Sequence, residues 1–485
     1  MPHGSKLSVT LQLFMDGPPD PTDFWAKLQY ENDDRQNGDI IAWHPLLAHS
    51  ADVAAVMEAL LERTILSKRL ARLVGWDDLS PVHMARLCVF AAIHDAGKVN
   101  HGFQNQAFPG AGPSPGHVQP MLNVIEAPNW WESLLLPLGI DKMMPWFEGD
   151  RDPTHFLCAT WTHHGEPKYA RGHVPSNLWI KNEHRDPQTE LKHLGDAVQQ
   201  WFPEAFCNAE PFPQRYPAFQ HAFNGLLTLA DWIGSGFPYS EESDNDLLDR
   251  ACDFAAERLE AQALDPRYCR AVLGETPVGF EGIIRPEWTP HNVQEVCLNH
   301  TVHENGGLTI LESDTGSGKT EAAIARFFRL YQEGHVDGMY FAVPTRTAAK
   351  QLYTRVQSVV DEVYTGKGNP PPVVQAVPGY FKADGAEGSP IAPFKVQWYD
   401  DVEEDEVRER RWAAEHPKRY LAGAIVIGTV DQVLLSTLQV KHAHMRASAL
   451  LRHFLVVDEV HASDVYMTRL LRSVLDQHLN AGGHA

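Results

Sequence analysis

His94 and Asp95 stand side by side where an apolar helix runs out at Gly97, with Lys98 just beyond. An imidazole is a good ligand for first-row transition ions, and a carboxylate has two oxygens able to bridge a pair of them. Alone, the pair also fits a helix-end histidine next to a solvated aspartate. The rest of the N-terminal half carries more of the same chemistry: His49, His117, the adjacent His163 and His164, and Asp231. An adjacent histidine pair is weak evidence, because 25 histidines in 485 residues yield about one by chance. Five imidazoles and two carboxylates in one helical region suit a two-metal site, and histidine-rich ligation favours Fe, Mn, Co or Ni over Mg. Lys98 is placed to neutralise a phosphate or position a water, or simply to sit as a helix-end cation.

Helical periodicity positions these groups. Residues 44–66 repeat apolar residues at helical spacing and turn His49 inward. Ser80 and Pro81 start a second helix that carries Leu87, Phe90 and Ala91 toward His94. Residues 105–120 are rich in Pro and Gly and read as a loop bearing His117, with His101 as a competitor. Asp231 lies in LLTLADWIGS, a core-like helix where a carboxylate needs a partner or a cation.

A second chemistry begins near residue 307. LTIL (308–311) is expected as a buried strand, SDTGSGKT (313–320) as a turn and EAAIARFFRLYQ (321–332) as a helix. A glycine-rich turn between strand and helix presents backbone N–H groups to phosphates. Thr315, Gly316, Ser317 and Gly318 form that turn, Lys319 reaches the outer phosphates and Thr320 ligates magnesium. Ser313 stands where the common pattern has glycine. FLVVDEVH (454–461) ends a second strand in Asp458, for magnesium, and Glu459, for the attacking water. Gln294 is a candidate adenine reader. The stretches bearing Thr345 and Arg346, after one strand, and Thr429, after another, fit ordinary strand-end turns but also resemble the nucleic-acid-facing motifs of superfamily 2 helicases, which implies contacts to a nucleic-acid backbone.

The order H…HD…H…HH…D resembles the HD superfamily of metal-dependent phosphohydrolases. With W-H-P-L-x-x-H, H-D-x-G-K, H-H-G and A-D-W-I-x-S present, and a helicase-like P-loop half following, the chain is similar to the type I CRISPR-associated nuclease-helicases over most of residues 40–470. That resemblance implies two transition-metal ions bridged by Asp95, one held by His49, His94 and Asp231 and the other by His117, His163 and His164. It also implies ATP and Mg2+ in the second half, with single-stranded DNA and a CRISPR guide-RNA surveillance complex as partners. The chain stops shortly after His461, before the family's Ser-Ala-Thr motif and second RecA-like domain. Weak ATP binding and poor hydrolysis are therefore expected, whether the chain is a fragment, a vestigial motor or one half of a split protein whose second chain supplies that domain.

Three expected regions follow: an all-α HD-type nuclease domain (1–275), a Pro/Gly-rich linker (276–290) and an α/β RecA-like domain with a parallel sheet (291–485). With 43% hydrophobic and 21% charged residues the composition is that of a globular protein. Six scattered cysteines without a CxxC pair, and no long apolar window, predict a cytoplasmic protein without disulfides or a membrane span. A net charge of −22 argues against strong nonspecific DNA binding and for a delivery partner. Two rival readings are an HD nucleotide phosphohydrolase regulated by its nucleotide-binding domain, and a non-catalytic adaptor docking through its acidic surface.

Overall fold

The computed structural model describes residues 15–485 apart from 34, 36–37, 109, 111–113, 126, 150–151, 165–174, 213–215, 238–243, 275–277, 281–282, 284–286, 315, 393–394, 401–404 and 463. It divides into two compact units built from interleaved segments. One comprises 1–58, 81–215 and 230–255, and the other 59–80, 216–229 and 256–485. No helix among the described residues is long and apolar enough to cross a membrane.

The first unit is helical, with one small sheet at its entry. Strand Ile40–Pro45 is the centre of that sheet and pairs antiparallel with Met15–Asp16 and Trp25–Tyr30. The periodic stretch from residue 44 is therefore strand through Pro45 and helix only from Leu46 to Arg63. Pro81, with no N–H to lose, opens the helix Pro81–Ala92, nearly all of it buried. Helix Thr154–Trp161 packs by its aromatic face. Phe90, Trp146, Phe147, Phe156 and Phe212 form a ring cluster with centroids 5.1–6.2 Å apart, in the range of favourable aromatic pairs. The indole of Trp161 donates to the Ile93 carbonyl at 3.0 Å. That bond ties the segment bearing His94 to the one bearing His163.

The second unit is α/β. Its seven-stranded sheet runs in the order His453–Val457, Gly338–Val343, Ile425–Thr429, Val373–Ala376, Phe381–Ala383, Ala386–Ala392, Lys395–Trp398. The first four strands are parallel and the last three form an antiparallel extension. Helices Lys319–Gln332 and Arg346–Tyr364 bury Phe327, Phe328 and Val360 against Phe341 and Ile427.

The expected buried strand at 308–311 is not one. Leu308 is 50% and Ile310 74% exposed. The backbone of His484 takes the place beside the outer parallel strand, accepting from Leu455 N at 3.0 Å. Residues 307–309 pair only with that terminal segment, Thr309 N donating to the Ala485 carbonyl at 2.9 Å. The apolar run is thus one position too far from the core to be covered.

Candidate functional site

In the helical unit, Asp95 is fully buried and sits between two sets of side chains. Its Oδ2 faces His49 Nε2 and His94 Nε2, each at 3.3 Å. Its Oδ1 faces His117 Nε2 at 3.3 Å and His163 Nε2 at 3.8 Å. Asp231 Oδ1 closes the first set, 3.2 Å from His49 Nε2 and 3.9 Å from His94 Nε2. His164 closes the second, its Nε2 3.1 Å from that of His163. Ligand atoms of His49, His94, Asp95 and Asp231 all lie within 4.8 Å of one another, and so do those of Asp95, His117, His163 and His164. All seven residues expected to ligate metal are thereby brought to one site. His101, the competitor of His117, turns away and meets the Ile180 carbonyl at 2.9 Å.

Backbone contacts orient the rings. His94 Nδ1 meets the Ala91 carbonyl at 2.7 Å and His163 Nδ1 the Thr160 carbonyl at 3.0 Å, which turns each Nε2 inward. Gly97 lets the chain carrying His117 come close: a Cβ at 97 would lie 2.2 Å from the His117 carbonyl oxygen.

The electrostatics suit a cation. Burial pushes the imidazoles of His49 and His163 down to about 4 and that of His117 to about 3. His164 is also driven down, by burial and then by His163. Burial would raise Asp95, but Lys98, His94 and His117 outweigh it and hold the carboxyl well below the usual carboxylate range. Lys27, with His49 and His94, does the same for Asp231. Neutral imidazoles and ionised carboxylates are the forms that bind metal. His49 Nε2, His94 Nε2, His117 Nε2 and Asp95 Oδ1 are buried without a hydrogen-bond partner among the described residues, while Asp95 Oδ2 contacts the Lys98 ammonium. Buried polar atoms seldom go unpaired, so four of them gathered at one place fit a metal ion. These residues could hold one or more.

Three further residues belong to this neighbourhood. Lys27 ion-pairs with Asp231 at 3.2 Å. His44 and Asp52, both buried, meet at 2.7 Å and with His49 form a third group of ligand atoms within 4.8 Å. W-H-P-L and the Asp one turn after His49 were legible signals for that pair. Lys27, on a strand far away in sequence, gave none.

The second unit places Lys319, Thr320, Asp458 and Glu459 along clefts of about 730 and 700 Å3. Gly316, Gly318 and Gln294 line the second of these. Gly316 and Gly318 both take φ +83° and shape the turn before helix Lys319–Gln332. The Lys319 ammonium donates to the carbonyls of Ser313 at 2.8 Å and Asp314 at 3.1 Å, holding the loop in its own curve. Ser317 Oγ is buried without a partner among the described residues, and Thr315 lies outside them. The Gln294 amide caps its own helix at His291 N and donates to the Gly318 carbonyl at 3.1 Å. Burial, then Glu459, raises the Asp458 carboxyl. Glu459 itself has φ +53°, a left-handed conformation that a non-glycine residue holds at a cost of about 1–2 kcal/mol.

Of the candidate nucleic-acid contacts, Arg346 is exposed at the carboxyl end of a parallel strand, beside Thr345, whose hydroxyl accepts from Ala348 N as a helix cap. Thr429 is buried, its carbonyl accepting from the Tyr340 hydroxyl at 3.1 Å.

Residues 25–239 match the family model described as Cas3, HD domain, and residues 287–477 the one described as type III restriction enzyme, res subunit. The chain is 26% identical over 482 residues to the CRISPR-associated endonuclease/helicase Cas3 of Escherichia coli, covering 91% of this chain and 51% of that protein. It is 27% identical over 455 residues to the protein of the same description from Thermus thermophilus, covering 89% and 46%. A crystal structure of T. fusca Cas3 with ADP superposes with a TM-score of 0.66 at 22% identity, covering 96% of this chain and 50% of that one. The chain thus spans about half the length of the curated relatives it matches. Along most of its length the chain is thus similar to about half of the CRISPR-associated Cas3 proteins, with a match to the Cas3 HD-domain model followed by a match to a helicase-like model.

Proposed function

We propose that the chain is a metal-dependent nuclease of single-stranded DNA, joined to the nucleotide-binding lobe of an ATP-dependent DNA helicase. It degrades target DNA in CRISPR defence after a guide-RNA surveillance complex has opened the duplex. The observation that carries the reading is the Asp95 carboxylate, whose two oxygens address two different sets of ligands. His49, His94 and Asp231 would hold one transition-metal ion, and His117, His163 and His164 the other, with Asp95 between them. Fe, Mn, Co and Ni suit that donor set.

Such a pair, when bound, lowers the pKa of water and offsets charge on a scissile phosphate. The protein's own share is positional. Backbone carbonyls fix the rings of His94 and His163, Trp161 locks their two segments together, and Lys98 neutralises Asp95 from behind. In the second unit, Gly316 to Thr320 would cradle the phosphates of ATP, Asp458 would hold Mg2+, Glu459 would orient water and Gln294 would read adenine. Thr345, Arg346 and the turn at Thr429 would follow the DNA backbone.

Incubating the purified chain with circular single-stranded DNA and Mn, Ni, Co or Fe tests the nuclease half. Cleavage that stops on chelation is the expected result. Hydrolysis of dNTPs or cyclic nucleotides with the DNA left intact would point to a nucleotide phosphohydrolase instead.

A further inference from the structure

The two carboxylates of the metal site each carry a lysine, and the two lysines differ in where they stand. Lys98 contacts Asp95 and donates to the Ala26 carbonyl at 3.1 Å, and its ammonium lies 5.6 Å from the centre of the Phe103 ring. Its side chain is only 4% exposed. Lys98 is therefore walled in behind Asp95, and a DNA backbone arriving from solvent would not meet it first. The side chain of Lys27 is 27% exposed, while that of its partner Asp231 is 3% exposed. Lys27 reaches into the site from outside. Asp231 is its one hydrogen-bond partner among the described residues, and an ammonium has three donors to give.

Its placement is built in. Strand Trp25–Tyr30 pairs with Ile40–Pro45 in a register that shifts between Trp25 and Lys27. Such a bulge re-aims a side chain and is frequent beside active sites. The flanking backbone is held firmly, Trp25 N donating to Gln104 Oε1 at 3.0 Å and the Gln104 amide to the Trp25 carbonyl at 2.9 Å. Lys27 contacts Asp231 Oδ1, the same oxygen that faces His49 and His94. The ammonium thus stands at the rim of the first ligand set, with donors to spare, on a side chain that is part-exposed.

We infer that Lys27 is the phosphate-binding cation of this site, taking a non-bridging oxygen of the DNA backbone as the strand enters, while Lys98 serves only to position Asp95. This rests on the nuclease reading above. A lysine meets phosphate as a compact point charge, so arginine at the same place retains most of the interaction.

The test uses the full chain in wild-type, K27M and K27R forms. One arm measures binding of a single-stranded oligonucleotide to chelator-treated protein by fluorescence anisotropy over a salt series. A second measures bound transition metal by elemental analysis, and a third kcat and KM on single-stranded DNA. K27M is expected to keep its metal, to bind the oligonucleotide about tenfold more weakly and to lose about 0.7 from the salt slope, the share of one contact to a single strand. KM should rise more than kcat falls, and K27R should recover most of both. K27M with unchanged affinity and slope, in a chain whose wild type binds metal and cleaves DNA, overturns the assignment alone. Loss of metal from K27M also overturns it, making Lys27 a support for Asp231. A wild type that takes up no metal and cleaves nothing overturns the nuclease reading and this inference with it.

Discussion

His163 Nε2 and His164 Nε2 lie 3.1 Å apart, although consecutive side chains ordinarily diverge. The helix Thr154–Trp161 has just ended, and the turn that follows lets both rings face one point. Two nitrogens this close cannot both carry a proton comfortably, and burial drives both imidazoles toward the neutral form. In the proposed two-ion site they would form a two-tooth clamp for one ion. Substituting His164 by Ala should therefore lower the transition-metal content by about one ion per chain while the first ligand set stays filled. Elemental analysis after gel filtration checks this, and an unchanged metal content would remove His164 from the site.

Gly97 in H-D-x-G-K is there for packing. A methyl group at 97 would meet the His117 carbonyl oxygen at 2.2 Å and the Met121 Cβ at 3.0 Å, so the segment carrying His117 would have to retreat. Overpacking of this kind costs about 1–3 kcal/mol. G97A is expected to melt several degrees lower and to bind the second ion more weakly, read by calorimetry and by metal titration.

Lys319 spends two of its three donors on the loop carbonyls of Ser313 and Asp314. A nucleotide would take over that ammonium. K319A should weaken binding of a non-hydrolysable ATP analogue at least tenfold, as isothermal titration would record, and should leave the metal content of the helical unit untouched. Equal affinity in the variant would place the nucleotide elsewhere.

His453 and His478 give the α/β unit an acid limit. Burial first, then Arg452 and Arg69 respectively, pushes them down to about 3 and about 4. His453 Nε2 meets the Gly423 carbonyl at 2.7 Å. The unfolded chain has ordinary histidines near 6.5, so on acidification it takes up protons that the folded unit refuses. Stability is complete above about pH 6.5 and is lost as the pH falls toward 4, by roughly 1–2 kcal/mol per histidine by pH 5. Denaturant titrations at pH 7, 6 and 5 should show the midpoint falling, and H453Q should flatten the trend. A midpoint independent of pH would refute it.

The cluster of imidazoles and carboxylates was readable because such groups on apolar helices are costly unless they serve something, and their order along the chain is distinctive. His101 against His117 was settled only by backbone: Ile180 offers its carbonyl to His101, and Gly97 makes room for His117. Lys27 was invisible because its partner is 204 residues away, and a bulge has no strong signature in sequence. Residues 308–311 misled for a related reason. An apolar run announces a strand but not whether a neighbour covers it, and here residues near 484 stand between it and the sheet.

The proposed nuclease centre requires Asp95 as the shared ligand of two ions. The most direct measurement is the number of transition-metal ions per chain in the wild type and in D95A, after metal loading and gel filtration, with circular dichroism to confirm that both are folded. The prediction is about two ions in the wild type, close to none in D95A, and no cleavage of single-stranded DNA by the variant. A wild type that holds no metal, or a D95A chain that holds and cleaves as much as the wild type, would contradict it.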